Sequence, residues 1–169
     1  MSDLEVTVHG ERFDHLVYHL VLPYSNWETG TICFAENFES LSEGLQNALR
    51  ELGGVPLSHL TDRLPAAVNK VTNPEEFTAH YSGLLRHYGL RGQKTSPNSP
   101  HKNGDAEQRH YRMKRAVDQA LMLRGSWDFP LRAEYEAFLK MLFRRMNSSR
   151  RARLRAFLRG RPEGSACRA

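Results

Sequence analysis

The chain has 169 residues, of which 40% are apolar and 25% are charged, a composition typical of one globular domain with its own core. It has no run of about 18 apolar residues and no charged-then-apolar segment after Met1, which predicts a cytoplasmic protein without a membrane span. Its two cysteines, Cys33 and Cys167, exclude a disulfide framework and a cysteine-based zinc site.

The first predicted elements are three short strands, because the runs are rich in Val, Ile, Leu, Tyr and Thr and are separated by turn-forming residues. They are Leu4–Val8, His15–Pro23 and Thr29–Ala35, and we expect an antiparallel meander. His15 and His19 lie four positions apart in the second strand, on one side of it. With no third ligand near, they are expected in the packing or the polar surface of the sheet rather than in a zinc site.

Two helices and two strands follow in the middle of the chain. A helical stripe is formed by Leu41, Leu45, Ala48, Leu49 and Leu52, and it ends at Gly53. Val55–Thr61 is a strand candidate. Asn73 and Pro74 have the chemistry of a helix start, and the stripe that follows them ends at Gly89. Leu90–Thr95 is predicted as a fifth, edge-like strand.

The last third of the chain is predicted to be a loop and two more helices. Ser96–Asn103 has turn chemistry at nearly every position and is expected to be a mobile loop. Helices are predicted over Asp105–Arg124 and from Pro130 to about Met146. This order is that of an α/β, ribonuclease-H-like fold, in which a mixed sheet has helices on both faces. The predicted divisions are a core over 1–125, a C-terminal helix over 126–147 and a poorly ordered, Arg-rich tail over 148–169.

The net charge of +5 hides a division between the two halves of the chain. Residues 1–90 contain 5 Lys and Arg against 12 Asp and Glu, whereas residues 91–169 contain 19 against 7. Lys140–Arg161 has nine basic residues and no acidic one. A solvated face usually mixes both signs, so this segment favours contact with nucleic acid or phosphate.

Two acidic positions are candidates for metal binding. Asp62 follows the strand that ends at Thr61, where side chains of a mixed sheet reach the ligand crevice, although an Asp that closes a turn has the same signature. Asp105 and Glu107 lie in the first turn of a helix, and residues two apart diverge by about 200°, so only one of them can join Asp62. From the spacing alone, both remain open.

Several stretches of the sequence resemble the IstA-type insertion-sequence transposases, which belong to the integrase superfamily that uses two Asp and one Glu. They are LVYHLVLPYSNWE (16–28), ESLSEGLQNALRELGGVP (39–56), TDRL (61–64), NGDAEQ (103–108) and KRAVDQALMLRG (114–125). The resemblance covers roughly residues 1–147.

The resemblance implies that Asp62 is the second and Glu107 the third catalytic carboxylate, 45 positions apart, and that they bind Mg²⁺ or Mn²⁺ for strand transfer. The expected DNA contacts are Arg63, Tyr111, Lys114, Arg144, Arg145, Arg150 and Arg151. The implied partners are DNA ends and target, further copies of the chain on DNA, and an ATPase helper protein.

One departure from the family pattern concerns its first Asp, which falls a few residues upstream of Met1. Asp3, Glu5 and Asp14 do not match that motif. We therefore expect an incomplete transposase core that is inactive as an isolated chain. The alternatives are a catalytically silent DNA-binding or oligomerising remnant and, less supported, a basic RNA-binding protein, for which no RNA-module signature is present.

Overall fold

A computed structural model describes residues 2–61, 78–94, 100–150 and 154. The first part contains five strands, β1 (Ser2–Asp3), β2 (Thr7–Val8), β3 (Glu11–Arg12), β4 (Leu16–Val21) and β5 (Glu28–Cys33). Then come helix α1 (Phe38–Leu52), strand β6 (Ser58–Thr61), helix α2 (Ala79–Tyr88) and strand β7 (Arg91–Lys94). The remaining elements are helix α3 (Pro100–Arg124), strand β8 (Asp128–Phe129), helix α4 (Arg132–Met146) and a 3-10 turn (Ser148–Arg150).

The described strands form three small sheets, ordered β1-β4-β5, β3-β2-β8 and β6-β7. The antiparallel hairpin of β4 and β5 in the first of them confirms the last two strands of the predicted meander. Its register runs from Leu16 opposite Cys33 to Val21 opposite Glu28. On its other side β4 pairs with β1, also antiparallel. This ladder fixes which residues of β4 face each side of the sheet, because successive side chains of a strand alternate.

The predicted continuous strand over Leu4–Val8 is wrong. The backbone leaves β4 after Asp3, and strand structure resumes only in β2, which pairs with β3 and, in parallel, with β8. The reason is the pairing of Thr7 and Val8 with β8, which draws this segment away from β4. The turn at His9 and Gly10, whose φ angles are 55° and 76°, is the tight turn that hairpins favour and joins β2 to β3. Leu4 and Val6 between the two strands are buried in the core.

Two hydrophobic cores lie on opposite faces of the hairpin. Tyr18 and Leu20 of β4 pack with α1 and α2, whereas Val17 packs with α3 and α4. All five predicted stripe residues of α1 are buried, and the helix ends at Gly53, where φ is +70°. Gly44 brings α1 close to the sheet, since a Cβ there would lie 2.4 Å from the Tyr18 ring.

Strands β6 and β7 form a second parallel pair, separate from β2 and β8, and α2 lies between them in the sequence. The predicted strand over Val55–Thr61 is confined to its last four residues, and β7 confirms the strand predicted over Leu90–Thr95. Helix α2 begins later than predicted, because the side chain of Thr78 caps it by accepting from the backbone N–H of Tyr81. The predicted start at Asn73 lies outside the described residues.

Helix α3 begins at Pro100, so the loop predicted over Ser96–Asn103 is wrong for residues 100–103. A proline fits the first position of a helix because its missing N–H has no partner there and its φ is already helical. Residues 95–99 lie outside the described part. Helix α4 confirms the helix predicted from Pro130 to about Met146. Among the described residues, no helix is long and apolar enough to cross a membrane.

Candidate active site

The two predicted carboxylates belong to different elements. Strand β6 ends at Thr61, directly before Asp62 in the sequence, and Asp62 itself lies outside the described residues, as do Arg63 and Arg151. Position 107 is on α3, about two turns after its start, but the side chains of Asp105 and Glu107 are also outside what is described. The structure therefore describes the elements beside these acids rather than the acids themselves.

A buried histidine attaches β6 to the rest of the fold. The Nδ1 atom of His59 lies 2.6 Å from the hydroxyl of Tyr81 on α2, and its Nε2 atom lies 3.1 Å from the hydroxyl of Tyr18 on β4. Burial lowers the pKa of His59 to about 4, so the ring is neutral at pH 7. A neutral imidazole donates from one nitrogen and accepts at the other, and the two hydroxyls satisfy both.

Helix α3 packs through one apolar stripe that a histidine continues. Met113, Val117 and Leu121 are fully buried at a spacing of four residues, which places them on one side of the helix. His110 lies one turn before Met113, and its Nδ1 atom is 3.2 Å from Nδ1 of His19 on β4. The two rings meet edge to face, with their centroids 4.9 Å apart.

Behind His19 lies a buried carboxylate. The Nε2 atom of His19 is 2.9 Å from Oε2 of Glu28 on β5, and Arg150 donates to the other oxygen of that carboxylate. The side chain of His19 is 0% exposed and that of Glu28 is 6% exposed. Burial raises the pKa of Glu28, but the hydrogen bonds and charges of His19 and Arg150 outweigh this effect and the net pKa is lowered. Glu28 is therefore ionised at neutral pH.

This histidine and carboxylate cluster is a hydrogen-bond chain and not a metal centre. Glu28 and His110 approach opposite nitrogens of the His19 ring, so the three groups do not converge on one point. Within the ranges that the structure covers, no group of three or more His, Cys, Asp or Glu could hold a metal ion.

The flanks of α3 differ in their surroundings. Lys114 is half-buried and, with Asp118, lines a groove of about 650 Å³ that is bounded across from the helix by Leu4–Thr7 and Trp127. Arg112 on the other flank is exposed. Tyr111 is also solvent-facing, with 64% of its surface exposed.

The predicted basic contacts on and after α4 fall into two classes. Arg144 and Arg145 are exposed at the end of α4. Arg150 instead donates to the backbone carbonyl of Asn26 as well as to Glu28. Its guanidinium thus has a structural role in addition to any contact with DNA.

The chain is similar in sequence to part of a longer protein. The chain matches no protein-family model. It is 36% identical over 159 residues to the uncharacterized protein y4jA/y4nE/y4sE of Sinorhizobium fredii (strain NBRC 101917 / NGR234), covering 92% of this chain and 32% of that protein. The chain therefore spans about a third of the length of this relative.

Two solved structures align over most of the chain. One is the HTLV-2 integrase catalytic core domain in complex with magnesium, in its dimeric form, with a TM-score of 0.57 and 12% identity over 85% of this chain and 88% of that one. The other is the BIV integrase catalytic core domain, with a TM-score of 0.57 and 16% identity over 86% of this chain and 81% of that one. The chain has the fold of an integrase catalytic core. The predicted ribonuclease-H-like fold class is confirmed.

Sequence reasoning missed the histidines that attach the two site elements. His15 and His19 are predicted in the packing or the polar surface of the sheet, and the structure buries both side chains. The partners of His19 and His59 were not predicted, because they come from distant parts of the chain. The sequence does contain one indication of such a role. His19 lies inside an apolar strand run, and a polar side chain buried in this way usually has hydrogen-bond partners.

Proposed function

We propose that this chain is the catalytic-core portion of a transposase of the integrase type, which joins DNA strands by metal-dependent attack on a phosphodiester. The observation that carries the proposal is the match to integrase catalytic cores over more than four fifths of the chain, with one predicted acid directly after β6 and the other on α3. Assignment to the IstA type rests on the sequence resemblance.

In this proposal Asp62 and Glu107 are the metal ligands. Carboxylate oxygens are the donors that Mg²⁺ and Mn²⁺ prefer, and the HTLV-2 core was solved with magnesium. The bound ions would supply activation of the attacking hydroxyl and stabilisation of the leaving oxygen. The remaining acid of the set is the first Asp, which the resemblance places in the sequence before residue 1.

The geometry of α3 favours Glu107 over Asp105 as the ligand. At about 100° per residue, position 107 lies about 20° around the helix axis from Lys114, and position 105 lies about 20° from Arg112. The Lys114 flank faces the segment Leu4–Thr7 across the groove. This segment directly follows β1, and the resemblance puts the first Asp a few residues before β1. The Arg112 flank is exposed.

The DNA contacts in this proposal lie beside the acids and on the basic C-terminal half. Tyr111 and Lys114 follow Glu107 at one and two turns along the helix, and Arg63 follows Asp62 in sequence. Arg144 and Arg145 present two exposed guanidinium groups on α4, and Arg151 continues the basic run. Positive groups of this density bind phosphates without sequence preference.

The proposed partners follow from the relatives. The HTLV-2 core was solved in a dimeric form, and we propose that this chain also acts as an oligomer on paired DNA ends. An ATPase helper is proposed from the IstA resemblance alone. The second candidate function is a silent DNA-binding or oligomerising remnant, and the exposed Arg144 and Arg145 support DNA contact without requiring catalysis.

A strand-joining assay separates the two candidates. The chain is compared with a version preceded by the segment that contains the first Asp in an intact relative, each with Mg²⁺ and a labelled DNA end. The enzyme proposal predicts joining by the extended protein and none by residues 1–169 alone. DNA binding by both proteins without joining by either would favour the remnant, provided that an intact relative is active in the same assay.

A further inference from the structure

Two adjacent residues of β4 reach both elements of the proposed site. Tyr18 and His19 point to opposite faces of the sheet because side chains alternate along a strand. The Tyr18 hydroxyl lies 3.1 Å from Nε2 of His59 on β6, and His19 Nδ1 lies 3.2 Å from Nδ1 of His110 on α3. His59 is three positions before Asp62, and His110 is three positions after Glu107.

We propose that Tyr18 and His19 form a two-sided anchor that positions β6 and α3, and with them the two carboxylates of the site. The inference rests on the proposed function, since the carboxylates matter only if that function holds. Tyr18, His19, His59 and His110 are positioning residues in this account and do not touch DNA or metal.

The anchor is suited to positioning because its bonds are directional and buried. Apolar packing of Met113 and Val117 holds α3 against the sheet, but such packing is non-directional and tolerates small rotations. A hydrogen bond between two ring nitrogens tolerates much less change, because distance and angle both limit it. His110 is also nearer to position 107 than any of the apolar stripe residues.

The His19 side of the anchor is itself held in place. Glu28 accepts from Nε2 of His19, and the same carboxylate is held by Arg150. In the tautomer of His19 with Nε2–H, Nδ1 of His19 accepts from Nδ1–H of His110, so both nitrogens of the His19 ring have a partner. The ring of Phe143 on α4 lies against His19, with centroids 5.9 Å apart.

The atoms involved define a set of discriminating variants at position 110. Asparagine puts a polar atom near the place of Nδ1, glutamine puts one near Nε2, and leucine fills the space without a hydrogen bond. If the bond matters, His110→Asn preserves the anchor, whereas His110→Gln and His110→Leu break it. If His110 only fills space, His110→Leu is the best replacement.

The experiment is hydrogen exchange of the full 169-residue chain, followed on the amides of residues 106–112. Loss of the bond is expected to speed this exchange about tenfold in His110→Leu and His110→Gln, with His110→Asn within about twofold of the original chain. Tyr18→Phe should likewise speed the exchange of the amides of β6, because it removes the hydroxyl that contacts His59. Tyr135→Phe is the matched control, since it removes a hydroxyl that bonds His15 elsewhere in the fold.

Failure of the anchor and failure of the proposed function give different results. Unchanged exchange in His110→Leu, or equal exchange in His110→Leu and His110→Asn, would overturn the anchor whatever the chain does with DNA. Mg²⁺ titration of the same variants tests the link to the site, where we expect weaker binding in His110→Leu and recovery in His110→Asn. Loss of the anchor with unchanged Mg²⁺ affinity would overturn the positioning role. Absence of Mg²⁺ binding by the extended protein that contains the first Asp would count against the proposed function alone.

Discussion

Glu28 and Asn147 are 119 positions apart and exchange two hydrogen bonds. The backbone N–H of Glu28 donates to Oδ1 of Asn147 at 3.0 Å, and Nδ2 of Asn147 donates to the backbone carbonyl of Glu28 at 2.7 Å. The amide side chain thus acts like one more strand residue beside β5. It ties the end of α4 to the strand whose carboxylate holds His19.

Replacement of Asn147 by alanine should therefore destabilise the whole fold. Two buried backbone groups of Glu28 lose their partner, and we expect the free energy of unfolding to fall by about 2 to 4 kcal/mol. Urea denaturation followed by circular dichroism measures this change. Asn47→Ala on the outer side of α1 is the control and should cost less than about 1 kcal/mol, so equal losses in the two variants would contradict the role given to Asn147.

Acid should weaken the fold through His59. Its pKa is about 4 in the folded chain against an ordinary value of 6.5, so the unfolded chain takes up a proton first as the pH falls. The stability that the neutral ring contributes is fully present above pH 6.5 and is lost between pH 6.5 and 4, up to about 3 kcal/mol.

Thermal melts of the original chain and His59→Gln across this pH range test the point. The variant has no imidazole to protonate, so its melting temperature should fall less steeply with acid. Its stability at pH 7 is expected to be lower, because the bonds to Tyr18 and Tyr81 are altered, and the comparison therefore uses the slope. Parallel slopes would show that His59 is not the group responsible.

Local patterns of the sequence predict much of this fold. The stripe of α1 and the hairpin of β4 and β5 depend on neighbours a few positions apart, and their residues alternate or repeat as the elements require. The break after Asp3 was not predicted, because it depends on pairing of Thr7 with Asp128, 121 positions away. Such pairing is decided by the assembled fold and leaves no local signal.

In the candidate site, too, local features were predicted and long-range contacts were not. Acids at a strand end and in a helix are visible in the sequence, but the groups that hold these elements are not. His19 meets His110 across 91 positions, and His59 meets Tyr81 across 22. Arg150 was predicted among the DNA contacts from the basic run. Its pairing with Glu28 depends on the return of the chain to β5 after α4, which no spacing rule indicates.

The basic surface should contribute to DNA binding through counterion release. If Arg144 and Arg145 each neutralise one phosphate, Arg144→Gln with Arg145→Gln should reduce the slope of log affinity against log salt by about 1.8 in magnitude. Fluorescence anisotropy with a labelled duplex at several salt concentrations measures it. Arg132→Gln, which removes a charge already paired with Glu136, is the control.

The tail requires a deletion that respects the fold. Removal of everything from Ser148 onward would also remove Arg150, which holds Glu28, and Leu154, which packs against the core. Deletion of residues 155–169 keeps both and removes four arginines. A reduced salt slope is expected if the tail binds phosphates, whereas an unchanged slope would identify it as a solvated segment.

Metal binding by residues 1–169 alone should be weak. Two carboxylates offer two negative charges, which is too few to hold a pair of divalent ions against their mutual repulsion. Isothermal titration with Mg²⁺ is expected to show at most one weak site, which is lost in Glu107→Gln. Two tight sites would mean that another acid completes the set within this chain.

The central claim is that Asp62 and Glu107 carry DNA strand transfer, and the most direct measurement is strand joining by the extended protein that contains the first Asp. Three variants are compared with it in Mg²⁺: Asp62→Asn, Glu107→Gln and Asp105→Asn. The account predicts that the first two reduce the joining rate by at least about a hundredfold, because each removes a metal ligand. It predicts that Asp105→Asn stays within about threefold of the parent, since in this account position 105 lies on the Arg112 flank of α3 and does not hold the metal. Joining that survives Glu107→Gln and is abolished by Asp105→Asn would contradict the claim.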